Sequence, residues 1–256
     1  GIRLIDVEGN VLHHWEIRAK ELWPESPYDD VAKGSKNNNG NYVHGTFLFP
    51  NGDILFNIEY LGLFRMDARG NIIWKLKYRT HHSISRDSDG NFWVPGCNFI
   101  SKDSEKQKKY PFMRPVFTEE TLLKVSPKGE ILKEISLLES IINSEYNHLL
   151  WHYHRLKGDV LHLNDIEILS PEYAGLFPMF KAGDILVSSR HIHFVGILDP
   201  NGRIKWGLPG IFSYQHDPDF EKNGLITVFD NRGGMGLSMI RAVKPATGEI
   251  KTVYPV

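Results

Sequence analysis

The chain has 256 residues, with 30 basic against 31 acidic side chains and a formal net charge of -1. That balance leaves no basic footprint for nucleic acid or an anionic membrane surface, and no apolar run reaches the roughly eighteen residues needed to cross a bilayer. Hydrophobic content of 41% and aromatic content of 12% point to a packed core rather than disorder, and the single cysteine, Cys97, excludes an internal disulfide and a cysteine-based metal site.

The chain opens on Gly1, so an upstream segment, a signal peptide or anchor, is expected to have been removed. Residues 1–17 (GIRLIDVEGNVLHHWEI) read as one hairpin, and 19–41 as a long polar, turn-rich loop. HGTFLFPNGDILFNIE (44–59) is a pair of hydrophobic strands around an Asn-Gly turn, followed by a second type of hairpin, LFRMDARGNIIWKLKY (63–78). The first type recurs in HSISRDSDGNFWVPGC (82–97) and HDPDFEKNGLITVFDN (216–231). The second recurs in LLKVSPKGEILKEISL (122–137), VGILDPNGRIKWGL (195–208) and IRAVKPATGEIKTVY (240–254). Between them lie a charged insert at 100–115, with lysines read as a solvated face, and a segment at 136–156 whose Leu138, Ile141, Ile142, Leu149 and Leu150 suggest short helices.

Two alternating hairpins make one four-stranded blade, and blades in series make a β-propeller. The expected fold is therefore all-β, with fuller blades near 42–78, 82–137, 162–208 and 213–254 and a β-sandwich as the competing arrangement. Counting the opening hairpin, about five blades are present; strands after residue 256 are expected to complete that hairpin and close a six-bladed ring. The whole of 1–256 then reads as one propeller domain lacking part of its final blade.

The repeat aligns histidines. His44, His82 and His216 each stand eight residues before their turn glycines, Gly52, Gly90 and Gly224. His162 matches them in a blade whose hairpin tip is enlarged by SPEYAGLFPMFKA. If each turn is a two-residue hairpin, these positions face Glu59, Cys97, Arg190 and Asn231. First strands line a propeller's channel, so the histidines should converge on one mouth with Arg190 and Asn231 beside them. A lone histidine at a strand start is usually structural, but four in one register call for another explanation; His44 is the weakest of them. His13, His14, His148, His152 and His154 have no such register, and His191 and His193 follow Arg190 in alternation. Trp74 and Trp206 read as blade packing, and Asp165 and Asp217 as formers of Asx-type backbone bonds. NRGGMG (231–236) lacks the ending and the helix of a phosphate loop.

HLND, DILVSSRHIHFVGILDPNGRIKWGL and QHDPDF…NGLITVFDNRGG together resemble the arylsulfotransferases of the bacterial, PAPS-independent type, strongly across about 160–231 and fairly across 42–98. The resemblance implies a six-bladed, usually exported propeller, here periplasmic or otherwise exported. It places the sulfuryl-carrying nucleophile on His216. His82, His162, Asn164 and Arg190 then match positions that hold the sulfate and the reacting phenolic oxygen, and His44 and Asn231 are added as substrate-binding positions from the register. The chemistry of these side chains agrees: imidazole is a competent nucleophile, Arg190 offers planar cationic donors to anionic oxygens, and a second histidine can trade a proton with the phenol. The implied reaction is a ping-pong transfer from an aryl sulfate ester to an acceptor phenol, with no cofactor and no metal, and a homodimer is compatible with it. Two other readings stay open, a metal-dependent lyase or hydrolase using the histidine cluster and a non-enzymatic ligand-binding propeller.

Overall fold

In the computed structural model, residues 1–24, 28, 42–151, 156–232 and 236–255 are described. Most of the polar loop at 19–41, His152, His154 and part of NRGGMG lie outside them. The described part of that loop forms a short helix, Ala19–Leu22.

The chain is an all-β propeller of consecutive antiparallel sheets. β1 (Ile2–Ile5) and β2 (Val11–Trp15) form a two-stranded sheet. Three four-stranded meanders are β3 to β6 (Val43–Leu48, Ile54–Ile58, Gly62–Met66, Ile72–Leu76), β13 to β16 (Leu163–Ile168, Ile185–Ser189, Phe194–Leu198, Ile204–Pro209) and β17 to β20 (His216–Phe220, Ile226–Asp230, Met239–Lys244, Glu249–Tyr254). The remaining sheet is larger. Its first strand is split into β7 (Arg79–Thr80) and β8 (Ser85–Arg86), which pair with β9 (Phe92–Ile100). β10 (Arg114–Val125) and β11 (Ile131–Ser136) follow, and a short β12 (Lys157–Gly158) pairs with β10.

The core lies between successive sheets, which is what makes them blades. Leu55 and Leu63 pack on Phe92, Val94, Leu123 and Val125 of the next sheet. Phe117, Leu122 and Leu137 join Leu163, Val187 and Phe194 across the following boundary, and Leu186, Val195 and Ile197 meet Phe220, Val228 and Val243 across the last. Alternating strands bury one residue in two toward each neighbour, so the central strands β4, β14 and β15 are buried along their whole length. Trp74 and Trp206 pack in these seams.

Both inserts are tied into the core. In 100–115 the helix Glu105–Lys109 exposes its lysines, while Tyr110 and Met113 are buried against Phe117. In 136–156 the helices Leu137–Ile142 and His148–Trp151 bury Leu138, Ile141 and Leu150 in the same cluster.

The turns correct the expected register. At 49–53 the Phe49 N–H donates to the Asp53 carbonyl and the Gly52 N–H to the Phe49 carbonyl, so the loop has three residues and ends on Gly52 at φ +83°. The loops at 87–91 and 221–225 close in the same way, with Gly90 at φ +85° and Gly224 at φ +75°. This is a turn followed by a glycine bulge, not a two-residue hairpin, and it moves each first strand by one residue against its partner. Further bulges add to the shift. Cys97 faces Arg79 rather than His82, His216 faces Phe229, and Val43, beside His44, faces Ile58. Only the expected pairing of His162 with Arg190 is kept, through the Arg190 N–H donating to the His162 carbonyl at 3.0 Å.

Candidate active site

Despite the shifted register, the four histidines of the repeat meet. The His82 ring lies 3.9 Å from that of His44, 5.1 Å from that of His162 and 6.4 Å from that of His216, centre to centre. His44, His162 and His216 come from the starts of first strands and His82 from the gap between β7 and β8, each in a different sheet, and the blade geometry points them at one place.

Local backbone strain sets their directions. His82 and His162 have φ of +52° and +51°, and Tyr214 and Asp217, on either side of the Gln215–His216 pair, have +54° and +43°. Non-glycine residues avoid this region at a cost of about 1–3 kcal/mol unless the surroundings over-determine it. Here they do. The His82 carbonyl accepts from the Asn57 side chain at 2.9 Å, and the His162 N–H donates to Asp159 Oδ1 at 2.9 Å. Gln215, fully buried, donates to Ser188 Oγ and to the Ser189 and Phe194 carbonyls, which locks the residue just before His216.

Hydrogen-bond partners fix several ring tautomers, because a carbonyl or carboxylate can only accept. His216 Nδ1 lies 3.0 Å from the Tyr214 carbonyl, an acceptor that calls for a proton on that nitrogen. Asn231 Nδ2, a donor, lies 2.9 Å from the same ring nitrogen and calls instead for a lone pair there, while also donating to the Tyr214 carbonyl at 2.7 Å, so these two contacts pull the His216 ring towards opposite tautomers. His162 Nδ1 faces Asp159 Oδ2 at 2.5 Å. Arg190 Nη1 donates to His191 Nε2 at 2.8 Å, and its guanidinium stacks over the Tyr214 ring at 4.5 Å.

The electrostatics favour neutral imidazoles. Burial, followed by the charges of neighbouring histidines, pushes His44 down to about 4 and His82 well below the usual range. His216 is also lowered, by burial first, with Arg190 and His162 adding to it and the Tyr214 carbonyl and Asp217 opposing. Asp159 is pushed up by its own burial, but the bond from His162 and the nearby imidazoles outweigh this and its carboxyl ends below the usual value. Beneath His82, its Nδ1 meets His81 Nδ1 at 2.8 Å, and His81 Nε2 lies 3.1 Å from Glu120 Oε2, near enough to interact but off the direction of a hydrogen bond. Glu120 is fully buried and its carboxyl is raised well above the usual range by that burial.

Of the expected substrate-binding residues, Asn231 is at the site and His44 stacks on its edge. Asn164 is 2% exposed and sits beneath it, donating to the Gln215 carbonyl at 2.8 Å across the blade boundary. Sequence reasoning did not single out Asp159, His81, Glu120, Gln215 or Tyr214, and gave His191 no role of its own. The signal for Asp159 was available: it stands three residues before His162, the spacing at which an aspartate caps a backbone N–H. Asp159, His162 and His191 also offer donor atoms within 4.8 Å of one another, a spacing a divalent cation could use. Both imidazole Nδ1 atoms already bond Asp159, so an ion there would have to break those bonds. Beside Arg190, a pocket of about 560 Å³ is lined by Leu149, His191, Ile192, His193 and Tyr214, among others.

The sequence model of the arylsulfotransferase (ASST) family matches residues 46–255. The chain belongs to the arylsulfotransferase family. That span covers all four of the larger sheets and every site histidine except His44. No curated protein matches the chain in sequence. Among solved structures, a protein of unknown function from Bacteroides caccae is similar with a TM-score of 0.52 and 16% identity, over 82% of this chain and 60% of that one. A catalytically inactive virginiamycin B lyase from Staphylococcus aureus with quinupristin is matched at 0.49 and 12% identity, over 97% of this chain and 60% of that one. At such identities the likeness concerns the fold alone. This arylsulfotransferase-family chain spans 60% of the length of each. No helix among the described residues is long and apolar enough to cross a membrane.

Proposed function

We propose that this chain transfers a sulfuryl group from an aryl sulfate ester to an acceptor phenol, carrying it covalently on His216. The observation that carries the reading is the His216 ring itself. With its Nδ1 proton on the Tyr214 carbonyl the Nε2 lone pair is the nucleophile, and its lowered proton affinity favours the neutral ring. An imidazole prepared in this way attacks sulfur and divides one hard transfer into two easier ones. Arg190 offers fixed cationic donors to the sulfate oxygens, and its charge already acts on His216. His82 and His162 stand within reach to bind the sulfuryl oxygens and to exchange a proton with the phenolic oxygen. The pocket beside Arg190, walled by Leu149, Ile192 and Tyr214, suits an aromatic ring. An exported, periplasmic setting fits the family.

The test is brief incubation with p-nitrophenyl sulfate, then intact-mass measurement and peptide mapping under alkaline conditions. One sulfuryl group on His216, discharged by added phenol, is the expected result. Ligand binding that survives His216→Ala, with no adduct and no turnover in the parent protein, would sink the transferase reading in favour of a binding propeller. Turnover abolished by chelation would instead favour a metal-dependent lyase or hydrolase.

A further inference from the structure

We infer that Asp159 is the positioning residue of this site: its carboxylate holds His162 in the Nδ1–H tautomer, and its backbone carbonyl, through His191, holds Arg190. This deepens the proposed sulfuryl transfer and rests on it.

One residue makes three contacts that converge on two reacting groups. Asp159 Oδ1 accepts from the His162 N–H at 2.9 Å, and Oδ2 faces His162 Nδ1 at 2.5 Å. The two bonds fix both the left-handed backbone of His162 and the rotation of its ring. The Asp159 carbonyl lies 2.7 Å from His191 Nδ1. A carbonyl cannot donate, so that nitrogen bears the proton, and His191 Nε2 is left as an acceptor for Arg190 Nη1 at 2.8 Å.

The surroundings keep Asp159 the anion of the pair. His162 and His191 face it with ring nitrogens, His81 acts on it from nearby, and Glu120 is the other carboxyl at hand. Glu120 has no exposed surface, its neighbour His81 is held neutral by burial, and its side chain hydrogen-bonds Asp159, so Glu120 keeps the proton and Asp159 the charge. The environments push the two carboxyls apart, which separates their roles.

With Nδ1–H committed to Asp159, Nε2 of His162 is the nitrogen that moves a proton. In the first half-reaction the His216 Nε2–S bond forms as the S–O(aryl) bond breaks. The electron pair leaves on the phenolic oxygen; from p-nitrophenyl sulfate it departs as p-nitrophenolate, which needs no proton, so His162 Nε2 stays bare for the second half. In the second, His162 Nε2 takes the acceptor's phenolic proton as that oxygen attacks sulfur, and the N–S pair returns to His216.

Asp159→Asn separates the carboxylate from the carbonyl. The amide presents an N–H to His162 Nδ1, which turns the ring to the Nε2–H tautomer, while the backbone bond to His191 is kept. p-Nitrophenolate leaves without needing a proton, so adduct formation on His216 from p-nitrophenyl sulfate should slow by less than about tenfold. Discharge to unsubstituted phenol should slow by about 10²–10⁴-fold, the contribution of positioned acid–base groups. The variant should therefore accumulate the sulfuryl-enzyme. Equal slowing of both halves, or discharge at the parent rate, overturns the proposal.

A second measurement needs no turnover. Histidine ¹⁵N NMR of the parent protein, with His162 assigned through His162→Gln, should show a protonated Nδ1 and a bare Nε2, and the reverse in Asp159→Asn. A bare Nδ1 in the parent overturns the proposal even if His216 is sulfurylated. A protonated Nδ1 with no adduct on His216 supports the positioning role and counts only against the transferase reading.

Discussion

His216 is the residue on which most depends, and its environment makes a prediction about pH. Burial, Arg190 and His162 lower its pKa below the ordinary 6.5. Only the neutral ring attacks sulfur, so lowering the pKa extends the active form to more acidic solution. The acid limb of adduct formation should lie below pH 6.5, read from the initial burst across pH; a limb at or above that value would contradict the site as described. The histidine register that identifies His44, His82, His162 and His216 is legible in the sequence, because equal spacing from a turn glycine is a property of the chain alone. The partners of those rings are not. Glu59 and Cys97 were expected opposite His44 and His82 on the assumption of two-residue turns, and glycine bulges, read only from the hydrogen bonds at 49–53 and 87–91, moved them away.

At the scale of the element, the clearest packing constraint is in the third sheet unit of the second type. Phe194 begins β15, and its ring lies over Gly196 on the same face two residues on and over Gly207, the cross-strand partner of Gly196. A Cβ at Gly196 would meet the Phe194 ring at 2.4 Å, and one at Gly207 would meet it at the same distance. Phe194 is fully buried, so the ring has nowhere to go. Gly196→Ala should cost about 1–3 kcal/mol by overpacking, seen as a drop in Tm of about 2–4 °C per kcal/mol. A neutral result would mean the seam is looser than the contacts imply. VGILDPNGRIKWGL was recognisable as a hairpin, but nothing in it shows that its two glycines exist to admit one phenylalanine.

Across the whole molecule, polar bonds stitch each blade to the next. Asn57 donates to the His82 carbonyl, the Ile166 N–H to Ser83 Oγ, Asn164 to the Gln215 carbonyl, and the Phe220 N–H to Glu167 Oε2. Asn164→Leu removes one stitch and, among the described residues, leaves the Gln215 carbonyl with the Ser188 hydroxyl as its donor. It should destabilise by about 1–3 kcal/mol and lower adduct formation on His216, measured by denaturant melts alongside the burst. An unchanged burst would separate Asn164 from the reacting centre. Glu167 gives a pH signature. Burial first, then Asp219 and Glu221, raise its carboxyl to about 7 from 4.5, against the opposing bond from Phe220. In that window the folded state holds a proton the unfolded chain has lost, so the contribution is complete below pH 4.5 and is lost as pH rises through 7. Glu167→Gln cannot ionise, so its stability relative to the parent should rise as pH passes from below 4.5 to above 7, by about 3 kcal/mol. A constant difference would count against the burial of this carboxyl.

The sequence by itself determined the unit of construction. Alternation of period two, glycines at turn tips and the recurrence of two hairpin types are local properties, and they suffice to specify four-stranded blades in order. They also place His82, His162 and His216 at one position of the repeat and Arg190 opposite it at the end of a second strand, because position within a repeat is counted along the chain. What only the tertiary structure decided is which atoms meet. Asp159 reaches His162 through a left-handed backbone turn, His191 reaches Arg190 through its Nε2, and Asn164 turns out to tie blades together. Those contacts depend on bulges, on φ values forced by bonds between blades, and on the packing of one sheet against the next. None of these has a period along the chain.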